Sequence, residues 1–171
     1  EAALKSAVEK ALTIARYTAE DEAAGLPDAD RLAKDVPDLD LYHPWALSVE
    51  EAAERAKACE AAALAVDKRL TNSEGAGVSL HASHFIYANS LGFCNGYAGS
   101  RHGMSVAVIG EDKGGMQRDY WYTSARNAAE LESPESVGRI AGTRTVRRLN
   151  GRKLDTRTCP VLFEAQIATG L

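Results

Sequence analysis

The chain has 171 residues, of which 45% are hydrophobic and 26% are charged, the balance of a globular domain with its own core. Its formal net charge of −4 does not favour nucleic acid or an anionic membrane as a partner, and no apolar run approaches the roughly 20 residues that cross a bilayer. The wide spacing of Cys59, Cys94 and Cys159 fits neither a disulfide framework nor a zinc ribbon, so we expect a cytoplasmic protein with reduced thiols.

The first predicted element is a helix of about four turns with one buried face. Its apolar residues recur at helical spacing and are Leu4, Val8, Leu12 and Ala15. Further along, Asp28 is a candidate cap for a short helix over residues 29–34. The segment 36–45 contains two prolines and is expected to be extended, because residues before proline avoid helical angles.

The second predicted helix begins at Ser48, where Glu51 three residues later completes a capping box. Its expected buried stripe consists mostly of small side chains, which would let a neighbouring element approach closely. These residues are Ala52, Ala56, Cys59, Ala63 and Val66.

From residue 71 the pattern changes to the alternation of β-strands. Turn residues follow at 89–92, a strand is expected over 104–109, and residues 111–115 suit a hairpin connection into a strand over 116–123. That last strand is predicted to present Arg118, Tyr120 and Tyr122 on one face and Asp119, Trp121 and Thr123 on the other. Successive strands with short turns predict an antiparallel meander.

A third helix is predicted from Ser133, a good cap, with Pro134 at the favoured first position and Gly151 as its stop. Its expected buried residues are Val137, Ile140, Ala141 and Leu149. A last strand is expected over 160–163. The predicted fold class is therefore α+β, an antiparallel β meander packed with about three helices.

The histidines and glycines give weak functional signals. His81 and His84 lie three apart on a predicted strand, so they point to opposite faces and do not form a metal pair. His102 lies between Arg101 and Gly103 and is the better functional candidate, although a structural histidine is the favoured interpretation. The glycine-rich stretch 92–103 lacks the Gly-Lys-Ser/Thr ending of a phosphate loop.

A basic cluster lies in and after the third helix. It consists of Arg139, Arg144, Arg147, Arg148, Arg152, Lys153 and Arg157. No aromatic stacking residues or recognition-helix pattern accompany it, so a solvated helix face is favoured over nucleic-acid binding. No nucleophile motif is present, and the pattern of residues alone predicts no reaction.

Several sequence runs, in order along almost the whole chain, resemble the PmbA/TldD family, and its PmbA (TldE) branch most. They are Ala15–Thr18, Pro37–Pro44, Thr71–Gly75, Asn89-Ser90 with Gly92, Ser100-Arg101-His102, Arg118–Thr123 and Gly151–Leu154. The chain starts within a helical pattern and stops just after an apolar strand, so we expect an internal piece of a longer protein. The resemblance implies a central α+β domain over 1–158 and the first strand of a C-terminal domain over 159–171, with the first helix open to assignment as the tail of the preceding domain.

The resemblance also implies a function. Family members are cytoplasmic, and TldD and TldE branches pair as a heterodimer that degrades unfolded peptides in an enclosed cavity, with roles in microcin B17 maturation and antitoxin turnover. An older label calls them modulators of DNA gyrase. In the TldD branch the zinc motif His-Glu-x-x-x-His supplies two metal ligands and a base.

Aligning the last predicted strand with that motif places Glu164 and Thr169 at the two histidine positions and Ala165 at the base. The motif is degenerate, so we expect no catalytic residue, metal ligand or cofactor in this chain, and zinc in a TldD-type partner. Residues Arg101, His102, Arg118 and Tyr120 are predicted to face the substrate channel. Two alternatives stay open: a non-enzymatic binding or regulatory module, and a parent metallopeptidase whose ligands lie outside this chain.

Overall fold

The computed structural model describes residues 1–168 and 170. The main elements are the helices α1 (Ala2–Tyr17), α2 (Val49–Leu64), α3 (Pro134–Arg148) and α4 (Ala165–Ala168) and the strands β1 (Leu70–Ala88), β2 (Cys94–Asp112) and β3 (Gly115–Ala125). Short 3-10 turns occupy Ala29–Arg31 and Ala128–Glu130. The chain forms two units, a smaller one from residues 1–40 and 84–98 and a larger one from residues 41–83 and from 99 onwards.

The strands form an antiparallel sheet in the order β1-β2-β3, which confirms the predicted α+β class and meander. In β2 and β3, Val106 lies opposite Trp121 and Asp112 lies opposite Gly115, so two residues connect the strands. Gly115 adopts φ +93°, a conformation that favours glycine, at the predicted hairpin. In the smaller unit, the amide of Asn89 donates to the carbonyl of Phe93 at 2.9 Å across the predicted turn between β1 and β2.

Helices α2 and α3 of the larger unit begin where the sequence predicts. The Ser48 hydroxyl accepts from the Glu51 amide at 3.1 Å, and the Glu51 carboxylate accepts from the Ser48 amide at 2.9 Å, which completes the capping box. The Ser133 hydroxyl accepts from the amide of Ser136 at 3.2 Å, with Pro134 at the first helical position. Local capping chemistry therefore fixes both helix starts.

Helices α2 and α3 pack closely through small residues. A Cβ atom added to Gly138 would collide with the carbonyl of Cys59 and would lie 2.9 Å from the Cβ of Ala62. The helix pair covers one face of the sheet, where Met104, Val106 and Val108 are buried. The core of the larger unit thus lies between β2 and two helices that small side chains bring together.

Some predicted details are wrong. Helix α1 forms, but none of its residues is buried, and its apolar side chains Leu4, Val8 and Leu12 are more than half exposed. Helical periodicity identifies an apolar face without specifying what covers it. In the expected buried stripe of α2, Val66 lies beyond the end of the helix at Leu64 and is exposed.

The predicted last strand over 160–163 does not form, and Leu162 is 98% exposed. A short apolar run becomes a strand only when a neighbouring strand accepts its hydrogen bonds, and within residues 1–168 and 170 none pairs with it. The expected helix over 29–34 is only the turn Ala29–Arg31, and the side chain of Asp28 does not cap it. Within the described chain, every helix is too short or too polar to serve as a membrane span.

Candidate functional site

The candidate site is the face of the sheet that α2 and α3 leave uncovered. Alternate residues of β2 point to opposite sides, so the buried Met104 and Val106 alternate with Gly103, Ser105 and Ala107. These small residues form a low floor along the middle strand. A floor of this kind leaves room for a ligand above the sheet.

Two tyrosines of β3 line one side of this row of small residues. Tyr122 lies opposite Ser105 and Tyr120 lies opposite Ala107 in the β2–β3 register. Their rings stack with centroids 6.4 Å apart and an interplanar angle of 19°, and both remain exposed. The sequence correctly predicts that they share a face with Arg118. Exposed stacked rings offer apolar surface and hydroxyl groups to a ligand.

An ion pair crosses the floor from β3 to β1. The Nη1 atom of Arg118 lies 2.6 Å and 2.8 Å from the two carboxylate oxygens of Glu74. Glu74 precedes Gly75, which adopts φ +108° and donates its amide to the Ser73 hydroxyl at 2.8 Å. Residues that lie far apart in the sequence therefore form an ion pair next to an irregular stretch of the β1 backbone.

Two adjoining clefts occupy the uncovered face, with volumes of about 600 Å³ and about 530 Å³. Both are lined by Ser105 and Tyr120, so they form one continuous groove, hereafter the sheet groove. The Glu74–Arg118 pair lines the larger cleft, and Arg101 lines the smaller one. Each cleft lies within the size range of small-ligand or peptide side-chain pockets.

The structure brings three of the four predicted channel residues together. Arg101 donates from Nε to the Ser124 hydroxyl at 2.9 Å and lines the sheet groove with Arg118 and Tyr120. His102 points to the opposite side of β2 and is buried. The groove also contains Glu74 and Arg148, which sequence reasoning did not assign to a site because their neighbours come from distant parts of the chain.

His102 connects β2 to the extended segment before α2. Its Nε2 atom lies 2.8 Å from the carbonyl oxygen of His43. Its ring packs edge-on against Trp45, with ring centroids 5.5 Å apart. The neighbouring Ser100 hydroxyl accepts from the amide of His43 at 2.8 Å. These contacts match the favoured interpretation of His102 as a structural histidine.

Part of the predicted basic cluster is paired rather than fully solvated. Arg144 lies 2.9 Å from Glu164 and 3.5 Å from Asp119, and its guanidinium lies 5.3 Å from the centre of the Trp121 ring. Arg148 lies 3.6 Å from the same oxygen of Asp119. The hydrogen bond from Arg144 lowers the pKa of Glu164, so this carboxylate is held as an anion beside α3.

The described residues do not fit the metal that the family resemblance implies. Within residues 1–168 and 170, no group of three histidine, cysteine, aspartate or glutamate side chains is placed to hold an ion. Glu164 pairs with Arg144, Ala165 begins α4, and Thr169 lies outside the described residues. Burial raises the pKa of the Cys59 thiol to about 11, which keeps it protonated and a poor ligand. These residues therefore support no metal-dependent step.

Comparison with known proteins identifies relatives of the whole chain. Residues 42–149 match the family described as the PmbA/TldA metallopeptidase central domain. Metalloprotease PmbA of Escherichia coli O157:H7 is 47% identical over 169 residues, and a Metalloprotease PmbA homolog of Haemophilus influenzae is 44% identical over 171 residues. The alignments cover 99% and 100% of this chain but 38% of each relative, so the chain spans well under half of their length.

A solved structure has the same fold. The crystal structure of a candidate modulator of DNA gyrase from Bacteroides thetaiotaomicron superposes with a TM-score of 0.78 at 27% identity. The match covers 88% of this chain and 35% of that protein. A second candidate modulator, from Thermotoga maritima, has a TM-score of 0.63 at 20% identity over 86% of this chain and 32% of its own, and shows the shared fold alone.

Proposed function

Because the chain belongs to the PmbA/TldD metallopeptidase family, we propose that it is part of a longer cytoplasmic subunit that binds unfolded peptides for cleavage. In this proposal the subunit is of the TldE type and pairs with a TldD-type partner that holds the zinc ion. The chain described here walls the peptide chamber and supplies no catalytic group. Its substrates would include the precursor of microcin B17 and antitoxins.

The observation that carries the proposal is the sheet groove. An extended peptide lying over Ser105 and Ala107 would meet little steric resistance, because both residues are small. Tyr120 offers an aromatic surface to apolar side chains, and Arg118 offers charged hydrogen-bond donors. Such contacts bind peptides of many sequences, which suits a protein that acts on unfolded chains.

The chain's own residues would bind and orient the peptide without taking part in bond cleavage. A zinc ion, when bound, activates a water molecule and polarises the scissile carbonyl. The described residues provide no ligand group for such an ion. This chain would therefore position the peptide, with the metal held elsewhere in the assembly.

Cleavage of an unstructured peptide tests the proposal directly. We expect no cleavage by the full-length protein alone, cleavage by an equimolar mixture with a TldD-type partner, and loss of that cleavage on chelation. Zinc is expected to co-purify with the partner. A mixture that is as inactive as the separate proteins would contradict the proposal.

A second candidate is favoured by the relatives, which are named metalloproteases. The full-length protein would then itself be a metallopeptidase whose ligands lie outside this chain. Zinc bound at equal stoichiometry by the full-length protein alone, with chelator-sensitive cleavage, would support this candidate. Peptide binding without turnover in any mixture would instead support a regulatory module, and salt-sensitive DNA retention would revive a role connected with gyrase.

A further inference from the structure

We propose that the larger cleft of the sheet groove recognises a carboxylate group of the bound peptide through Arg118 and Arg148. This inference rests on the peptide-binding function proposed above and specifies the chemistry that the groove selects. The carboxylate has two possible sources, the C-terminus of the peptide and an aspartate or glutamate side chain. Both present the same pair of oxygen atoms to a guanidinium group.

The first supporting observation is the way Arg118 is held. Its hydrogen bonds to Glu74 come from the Nη1 atom, which donates to both carboxylate oxygens. Its Nε and Nη2 atoms make no hydrogen bond to any described residue. Glu74 thus orients the guanidinium while one edge, with two parallel N–H groups, stays available for a carboxylate.

The second observation is that Arg148 reaches the same cleft from the last turn of α3. It lines the cleft of about 600 Å³ together with Arg118, and the two also share an adjoining cleft of about 390 Å³. Its nearest acidic atom, Oδ2 of Asp119, is 3.6 Å away, and among residues 1–168 and 170 it donates no hydrogen bond. Both arginines therefore line one cleft, and each keeps N–H donors that no described residue accepts.

The third observation concerns the acidic residues of the cleft. The side chain of Asp119 is only 9% exposed and lies between Arg144 and Arg148, whose side chain is 56% exposed. The side chain of Glu74 is 41% exposed but is paired with Arg118, whose side chain is 69% exposed. The accessible charge in the cleft therefore comes mainly from guanidinium groups, although the chain as a whole is acidic.

Binding of labelled peptides to the full-length protein, mixed with its partner and with chelator present to keep the peptides intact, tests the inference. Three peptides of one neutral sequence are compared by fluorescence anisotropy: one with a free C-terminus, one amidated, and one amidated with a single internal glutamate. We expect the amidated neutral peptide to bind several-fold more weakly than at least one of the other two. The peptide that binds tightly identifies the source of the carboxylate.

The variant Arg148→Gln should weaken binding of the preferred peptide about fivefold and leave the amidated neutral peptide unchanged, as expected for a partly exposed charge pair. Arg147→Gln is the matched control, since Arg147 is the adjacent exposed arginine of α3 and does not line the cleft. Circular dichroism of both variants verifies folding.

Three outcomes would overturn the inference. If all three peptides bind the unmodified protein equally, peptide binding stands but the cleft does not select a carboxylate. If Arg148→Gln and Arg147→Gln weaken binding of the preferred peptide equally, the effect comes from general positive charge and not from the cleft. If no peptide binds, the proposed function itself fails, and the inference fails with it.

Discussion

The two faces of β2 differ in the size, polarity and burial of their side chains although they share one backbone. On the covered face, Met104, Val106 and Val108 pack against Val137 of α3 and Ala63 of α2. On the uncovered face, Ser105 and Ala107 are small and lie opposite Tyr122 and Tyr120 of β3. The alternation of side chains along a strand produces this division.

The covered face contributes mainly to stability, and the uncovered face contributes mainly to the proposed binding. Burial of apolar side chains on the covered face supplies most of the free energy that holds the larger unit together. The uncovered face adds mainly exposed ion pairs and rings, whose contribution to stability is small. Substitutions on one face should therefore change folding, and substitutions on the other should change peptide turnover.

The largest effect is expected for Gly138→Val, at the support of the covered face. The added side chain would collide with the backbone of Cys59, and backbone in a helix pair cannot move aside cheaply. We expect a loss of at least about 4 kcal/mol in the free energy of unfolding, measured by denaturant titration. The control Gly151→Val, whose nearest neighbour is the Arg148 carbonyl at 3.6 Å, should change little. Equal stability of the two variants would contradict the close packing of α2 against α3 at Gly138.

One methionine lies on each face of the sheet, so substitutions at the two positions allow a direct comparison. Met104 is 5% exposed on the covered face, and Met116 is 65% exposed beside Arg118. We expect Met104→Ala to lower the free energy of unfolding by about 2–5 kcal/mol because it leaves a cavity. Met116→Ala should lower it by less than about 0.5 kcal/mol. Similar losses from both variants would contradict the assignment of stability to one face.

Tyr120→Ala tests the uncovered face. Loss of the ring removes aromatic surface from both clefts, so we expect about a tenfold drop in peptide turnover by the protein and its partner. Arg118→Ala should act in the same direction. Thermal unfolding should be nearly unchanged in both variants. Tyr17→Ala, an exposed tyrosine of α1, is the control, and unchanged turnover in the groove variants would remove them from the site.

The smallest effect is expected at one end of the sheet, where Arg69 holds two carboxylates. It lies 2.8 Å from Asp67 and 2.8 Å from Asp112, and these hydrogen bonds lower the pKa of Asp112 to about 2 and lower that of Asp67 as well. A lowered carboxylate pKa stabilises the fold above the unfolded value of about 4, and this contribution is lost as pH falls through the folded pKa.

The variant Arg69→Gln should therefore unfold a few degrees lower than the unmodified protein at pH 7, with the gap closing as pH falls from about 4 to about 2. Thermal unfolding followed by circular dichroism across this range measures the gap. Lys153→Gln, an exposed substitution of the same charge change, should show no such dependence. A gap that is constant with pH would mean that Arg69 stabilises the fold through packing alone.

Much of the fold follows from local sequence, and the site does so only in part. The starts of α2 and α3 were predictable because Ser48 and Ser133 cap their own helices within three residues. The shared face of Tyr120 and Tyr122 follows from strand periodicity. The Glu74–Arg118 pair was not predictable, because it depends on the irregular backbone at Gly75 and on the order of three strands.

The sequence by itself determined the α+β class, the family, the helix starts and the hairpin turn, because capping, glycine and alternation act over a few residues. Only the tertiary structure decided which apolar patterns find a partner, so that β2 is covered while the apolar face of α1 and the run at 160–163 are exposed. It also decided that His102 is buried and that Arg148 and Arg118 line one cleft. Contacts between distant residues depend on how the elements pack, and no local pattern encodes that arrangement.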